Sequence, residues 1–497
     1  MTTVDYKSKI AKEDINWGVG TFQRRLSTGE LQTVNQVNIY PESAWLDVRA
    51  YGADPTGLTD SYNALQDLIT DAPNGSVIFF PVGDFKITQP LTFVGKEYIT
   101  VRGSSRSNGG TNGTTITYAG GGHKAVLYLP GTRYCTFTDI GFYSTSTDDP
   151  PKTVIAMGRN ATTLQCAGNT FRNVRVWGYA SEALVYSIAA EGTTWDQIEF
   201  FMLGSGKYAF YTSQADDLSI SGGDFITETN LSFWVSQFAF YNYSTTAGAA
   251  VVYINGRAAT GDIYFRNGFM AASAGSAVQI NVVDDADDTA FGTYVFESIR
   301  TESIDNVAID YDFYLSASGA TGTVGYLNIR NVNMSCNSTY NVYGANSVTL
   351  NEFVIENSHS LYAGGISIYN TQKGRIYFSD GPIIARNSAY GTHVIKGWNR
   401  TVTLPGWNNL IQDSYVTEEL KYQGQIILGN YEGTPLLKAT SNPPTTPEGY
   451  IRFNGYVASD DTWSLSNAVI GSWTYLGMIQ VNVNGTAVWI PYYSYTP

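Results

Sequence analysis

Phe171-Arg172-Asn173-Val174-Arg175-Val176, followed 24 residues on by Trp195-Asp196-Gln197-Ile198-Glu199-Phe200, is the stretch that decides the fold. Both segments read apolar-x-x-apolar-x-apolar. The pattern recurs as Phe137/Ile140/Phe142 before them, and in weakened form after them as Ile220/Gly223/Phe225 and Phe265/Gly268/Met270. It continues as Phe296/Ile299/Thr301, Ile329/Val332/Met334 and Leu350/Phe353/Ile355. The starts are spaced by 34, 24, 25, 45, 31, 33 and 21 residues, the 45 being about two repeats. Period-2 alternation places two side chains inward, and the x-x gap reads as a corner.

The residue before the second apolar position supports the corner. It is Asp139, Asn173, Gln197, Gly222, Asn267, Ser298, Asn331 and Glu352 in turn. Asn, Asp and Gly tolerate the left-handed backbone that a sharp corner needs. Repeats of this length, with one strand per face, predict an all-β fold: a right-handed, single-stranded parallel β-helix. A β-propeller would need longer blades of about 40 residues or more.

Composition agrees. Of 497 residues, 43% are hydrophobic and only 14% charged, so a large core is available; 50 Gly and 36 Tyr suit turn-rich β structure. The net charge is −14 and no basic run is present, which argues against nucleic acid and against anionic membrane. No apolar stretch reaches the roughly 20 residues of a membrane span. The N-terminal MTTVDYKSKIAKEDINWG has no apolar core of a secretory signal. Cys135, Cys166 and Cys336 are too few and too scattered for a disulfide framework, and Cys135 and Cys166 read as core fillers. His123, His359 and His393 are isolated, so neither a zinc site nor another cofactor is expected.

Three zones follow. Residues 1–45 are polar, 46–428 form the β-helix body, and a small β unit occupies 429–497 beyond Gly429-Asn430. One helix is expected near the start of the body. Thr59-Asp60-Ser61 can cap it, Tyr62, Leu65, Leu68 and Ile69 keep helical spacing, and Pro73-Asn74-Gly75 ends it. Such a helix would cover the open end of a solenoid, hiding its interior and its strand edge.

Asp47-Val48-Arg49-Ala50-Tyr51-Gly52-Ala53-Asp54-Pro55-Thr56-Gly57-Leu58-Thr59-Asp60, with the later turn Pro81-Val82-Gly83-Asp84-Phe85, resembles the opening signature of pectate-lyase-like β-helix proteins. Gly18-Val19-Gly20-Thr21-Phe22-Gln23-Arg24-Arg25 and Ser27-Thr28-Gly29 resemble the virion-attachment segments of phage tailspikes. Val483-Asn484-Gly485-Thr486-Ala487-Val488-Trp489-Ile490-Pro491 is similar to their closing strand. Together these resemblances imply a receptor-binding protein of a phage virion that binds and depolymerises a bacterial surface polysaccharide. They also imply a homotrimer, joined to the tail or to another spike through residues 1–45. The calcium-binding aspartates of pectate lyases are not recognisable, so no metal site is carried over.

Glycoside hydrolysis usually takes two carboxyl groups, and a solenoid can supply them from adjacent coils. The outward position between the two inward residues reads Gly141, Arg175, Glu199, Asp224, Phe269, Arg300, Asn333 and Val354. Glu199 and Asp224 are thus expected as acid and base on consecutive coils, beside Arg175. Two positions on stand Tyr143, Trp177, Phe201 and Ile226, so Trp177 and Phe201 are candidate sugar platforms, with Glu228 close behind. An Arg175–Glu199–Asp224 charge ladder that merely steadies the stack is the competing reading.

A second acidic cluster, Glu297 and Glu302 with Arg300 and Asp305, could form a wall of the site, or it could be corner polarity with a surface pair of Arg300 and Glu302. The run Asp284–Asp288 lacks the glycine and terminal glutamate of a calcium loop and reads as a solvated loop. A polysaccharide lyase acting by β-elimination and a non-catalytic glycan-binding adhesin remain alternatives to a hydrolase.

Overall fold

The computed structural model describes residues 45–376 apart from 107–111, 161–164, 189, 216–217, 221–224, 226–230, 257–259, 284–291, 320–321, 363 and 370. Outside that span it describes the backbone of strands at 21–25, 31–35, 377–378, 383–386, 392–396, 402–412, 420–429, 435–440, 472–483 and 486–496. The chain divides into two units, Met1–Ala439 and Thr440–Pro497. The second unit holds an antiparallel pair, Ser472–Val483 with Thr486–Thr496. A short antiparallel pair, Thr21–Arg25 with Leu31–Asn35, lies in the first.

The first unit is a parallel β-helix. One line of register starts at Leu46, Ile78 and Val101 and passes Phe137, Phe171 and Trp195. It goes on through Val235, Phe265, Phe296, Ile329 and Ile355 to Ile376. By backbone register it reaches Ile395, Gln412 and Leu428. Every pairing in it is parallel. From Ile78 to Ile376 these side chains are buried in one continuous core, where flat rings stack along the axis: Phe171 lies 4.0 Å from Trp195, and Phe200 4.4 Å from Phe240.

Each coil has three faces. The first face precedes the corner, the second follows it, and the third carries strands such as Ala183–Ile188 and Tyr208–Ser213. The corner is left-handed at Asp139, Asn173, Gln197, Asn267, Ser298 and Asn331, as the repeat predicts. Corner side chains hydrogen-bond between coils: Asn173 Nδ2 donates to Asp139 Oδ1 at 2.7 Å, and Gln197 Nε2 to Gln237 Oε1 at 3.3 Å.

Two repeats are placed differently from the sequence reading. The coil after Trp195 is Val235-Ser236-Gln237-Phe238-Ala239-Phe240, with its left-handed corner at Gln237, 40 residues beyond Gln197. Ile220 and Phe225 belong to no coil. They are buried against the outside of the third face, where Phe225 stacks on Tyr128 at 5.2 Å and its ring lies over Gly158. Spacing alone does not separate an apolar residue inside a solenoid from one in an insertion laid over its outer wall. Likewise Ile329 pairs with Ile355, so the last corner is Asn357 and not Glu352. The weakness of the repeat at Gly268 has a packing cause: the ring of Phe238, one coil earlier, fills the space where a Cβ would be.

The opening signature closes the end of the solenoid. The Asp54 carboxylate accepts from the Thr56 hydroxyl and amide and from the Thr59 amide at 2.7–2.9 Å, which holds its carboxyl well below the usual carboxylate range. The Ser61 hydroxyl accepts from the Asp54 amide, and Asp60 accepts from the Tyr62 amide. This fixed turn launches helix α1 (Tyr62–Asp71), whose Leu65, Leu68 and Ile69 are buried on the first coils. A Cβ at Gly83 would stand 2.6 Å from Pro55, so the Pro-x-Gly turn and the Asp-Pro turn approach too closely for any side chain. Cys135, Cys166 and Cys336 are free and buried.

Candidate functional site

Alternation along the second face sends two columns of side chains outward. By register, the first reads Gly141, Arg175, Glu199, Ala239, Phe269, Arg300 and Asn333. The second reads Tyr143, Trp177, Phe201, Tyr241, Ala271, Glu302 and Ser335. The neighbour of Glu199 on the next coil is therefore Ala239, at the column position where the sequence reading expected Asp224. Asp224 and Glu228 lie outside the described residues, as does the run Asp284–Asp288. Tyr241 takes the place expected for Ile226.

Glu199 is the focus of this face. Its Oε1 accepts from Arg106 Nη2 at 2.9 Å, and its Oε2 lies 3.7 Å from Arg175 Nε. Arg175 follows from the column, one coil away. Arg106 does not: it comes from the loop between Thr100–Gly103 and Thr114–Tyr118 and crosses two coils to arrive. Nothing in the repeat marks it. The Arg175 guanidinium also lies over two rings, 5.1 Å from Trp177 and 4.6 Å from Phe201. Burial lowers the pKa of Arg175, the Glu199 carboxylate opposes that, and Arg106 adds to it.

The rings form a ladder. Tyr143 stacks on Trp177 at 4.9 Å, and Phe201 on Tyr241 at 4.5 Å. Tyr241 then meets Phe269 at 5.3 Å and Tyr243 at 6.3 Å. Trp177 is not the open platform expected from the sequence. It is only 8% exposed, because its ring lies flat over Gly141 between Tyr143 and Arg175. Phe201 and Tyr241 are half-buried and Tyr243 is exposed, so these offer their faces to solvent.

The second predicted cluster splits at the Ser298 corner. Glu297 falls on the first face, 3.2 Å from Arg266, next to Arg330 in register. That column is a charge ladder, with Arg172–Asp196 and Arg330–Glu356 pairs, and it stabilises little. Glu302 falls on the second face, two coils beyond Tyr241. Arg300 Nη2 holds its Oε2 at 2.7 Å, and the Arg300 guanidinium lies 6.0 Å from the Phe269 ring. Asp305 sits exposed in a short turn after this strand.

Between Tyr241 and Glu302 the column holds only Ala271, which is small and buried beneath its neighbours. Both acids act on Tyr241. Burial first, then Tyr243 and the Glu199 and Glu302 carboxylates, push the pKa of its phenol upward. A carboxylate between two guanidinium groups, a row of rings and a second acid two coils beyond Tyr241 form a site suited to a sugar chain. Among the described residues no group of three or more acidic, Cys or His side chains is arranged to hold a metal ion.

A solenoid with these coils belongs to the class of parallel β-helix proteins. Residues 45–267, a little under half of the chain, match the family described as rhamnogalacturonase A/epimerase, pectate lyase-like. No curated protein matches the chain. Solved structures similar to it include the Agl-KA catalytic domain, 11% identical, with 80% of this chain and 71% of that one covered and a TM-score of 0.41. The surface adhesin PfbA of Streptococcus pneumoniae is 11% identical over 90% of this chain and 98% of that one, with a TM-score of 0.40. The phiAB6 tailspike, solved with oligosaccharides of Acinetobacter baumannii surface polysaccharide, is 12% identical over 95% of this chain and 71% of that one, with a TM-score of 0.25.

Proposed function

We propose that this chain is a tailspike-type receptor-binding protein that binds a bacterial surface polysaccharide along its second face and cleaves it as an endo-acting glycoside hydrolase. The observation that carries the reading is Glu199, held by Arg106 and Arg175 beside the Phe201–Tyr241 ladder. Guanidinium donors face both its oxygens, which suits a base that activates water better than a proton donor. Glu302, one coil beyond Ala271 in the second column, is the second carboxyl group.

Three strand spacings of roughly 4.8 Å, and two residues along the strand at roughly 3.3 Å each, put their backbones about 16 Å apart. Two glutamate side chains reaching inward shorten that toward the range of about 6.5–9.5 Å that an inverting hydrolase uses, not the 5–5.5 Å of a retaining one. Tyr241 donates to the sugar between them. Its raised phenol pKa counts against Tyr241 as the base of a lyase. The resemblances at Gly18–Gly29 and Val483–Pro491 support a homotrimer on a virion, attached through residues 1–45. No cofactor enters the scheme.

The test is incubation of the chain and its Glu199→Gln and Glu302→Gln variants with purified capsule or lipopolysaccharide, followed by reducing-end and unsaturated-product assays. Each variant is expected to lose at least about 10²-fold in turnover while still binding the glycan. Undiminished cleavage in both would remove the second face as the catalytic site, and unsaturated products would establish elimination instead. A binding-only adhesin is the second reading, favoured by the ion pairing of both acids; it predicts capture of glycan with no new ends.

A further inference from the structure

The third face carries its own rings, and they have no part in the site above. One outward column runs Tyr211, Tyr253, Gln279, Tyr314 and Tyr343. The next runs Tyr208, Ala250, Ser276, Tyr311 and Tyr340. Tyr211 stacks on Tyr253 at 4.9 Å, and Tyr311 stacks on Tyr314 at 4.6 Å and on Tyr343 at 5.1 Å. The first column is interrupted at one coil, Ser276–Val283, which presents Gln279 between Tyr253 and Tyr314; the second lacks a ring at both Ala250 and Ser276.

The interruption is a cleft of about 210 Å³, walled by Tyr208 and Tyr253 on one side and Tyr311 and Tyr314 on the other. Gly248, Ala249, Gly275 and Ser276 floor it, and Asp310 and Gln279 stand in its lining. The walls Tyr253 and Tyr314 are two strand spacings apart, about 9.6 Å. One six-membered ring midway would lie about 4.8 Å from each, inside the 4.5–7 Å range of ring stacking.

From this missing rung we infer a second, non-catalytic glycan subsite that takes one neutral pyranose ring between Tyr253 and Tyr314. A pyranose has apolar C–H faces for the rings and hydroxyls at its edge for Gln279, Asp310 and the tyrosine hydroxyls. Asp310 is exposed and has no ion-pair partner among the described residues, so the site favours neutral sugars over uronic acids. Elsewhere on this face the Ala215 carbonyl accepts from the Tyr186 hydroxyl, the Leu218 amide donates to that hydroxyl, and Phe225 covers Tyr128.

The choice of a sugar as ligand rests on the reading of the chain as a glycan-binding protein. The test keeps the two apart. Saturation-transfer NMR would be recorded on the full chain with glucose, galactose, N-acetylglucosamine and glucuronic acid as probes. Wild type, Gln279→Tyr, Tyr314→Ala and Glu199→Gln would be compared, with light scattering on each.

Gln279→Tyr restores the rung and Tyr314→Ala removes a wall. Both should cut transfer to at least one neutral pyranose fivefold or more, Glu199→Gln should leave it unchanged, and glucuronic acid should give the weakest signal. No binding of any neutral probe to wild type overturns the inference, as does unchanged binding in both cleft variants. A fall in oligomeric state in Gln279→Tyr also overturns it, since a second copy of the chain would then be the occupant. Cleavage of polysaccharide that depends on Glu199 leaves the proposed function standing in any of those cases. Sugar binding that depends on the cleft, without any cleavage, leaves the subsite standing alone.

Discussion

Arg106 donates to Glu199 across 93 residues of chain, at 2.9 Å, on a face where the two belong to different coils. The loop that carries Arg106 thereby becomes part of the wall of the candidate site.

Arg106→Ala should lower turnover on the polysaccharide about 10- to 100-fold, the scale of a charge-assisted hydrogen bond of about 1.5–3 kcal/mol. Thermal unfolding should barely change, because both groups are partly exposed. A large drop in melting temperature with turnover intact would make the pair structural and would detach the loop from the chemistry.

Ala271 sits between Tyr241 and Glu302 in register and is buried beneath its neighbours. Ala271→Tyr extends the ladder by one ring and is expected to abolish cleavage while leaving the far-ultraviolet spectrum unchanged. Cleavage at the wild-type rate would show that the substrate does not pass over this position.

Asp312 is completely buried in the solenoid and accepts hydrogen bonds from Thr301, from Ser338 at 2.7 Å and from Asn341 Nδ2 at 2.9 Å. Burial raises its pKa and those hydrogen bonds oppose the rise. A raised folded-state value means that the group adds stability below the unfolded carboxyl pKa of about 3.9, and that this stability is lost as pH climbs through the folded value. The melting temperature of wild type, measured relative to Asp312→Asn, should therefore fall as pH rises from about 4 toward neutrality. A difference that stays constant over that window would mean that Asp312 titrates alike in both states.

The register line begins at Leu46, and the turn that launches α1 begins at Asp54. A chain starting near Ser43 should accordingly fold and retain glycan binding, with loss only of attachment to a virion or another spike. Failure of that shortened chain to fold, read by circular dichroism, would show residues 1–45 to be part of the body.

The β-helix could be read from the sequence because each coil repeats the same local demands. An inward pair at period 2 and a corner that tolerates left-handed backbone are properties of six consecutive residues, as in Phe171–Val176, and stacking repeats them. Helix α1 was legible for the same reason: Leu65, Leu68 and Ile69 and the Asp60–Ser61 cap lie within a dozen residues of one another. Arg175, Trp177 and Phe201 were placed on one face because the register from Phe171 to Trp195 carries no insertion.

What only the tertiary structure decided begins where chain length varies between coils. The insertion between Ser213 and Leu231 lays Ile220 and Phe225 on the outer wall, where they imitate a coil in sequence. Counting through it moved Asp224 into the column position that Ala239 occupies, and hid Tyr241. Arg106 had no local signal at all, since a loop's destination is set by what it touches across the surface and not by its own spacing. The pairing of Glu199 with Arg106, the separation of Glu297 from Glu302 at the Ser298 corner, and the missing rung at Gln279 are relations between coils, and only the register of one coil on the next determines them.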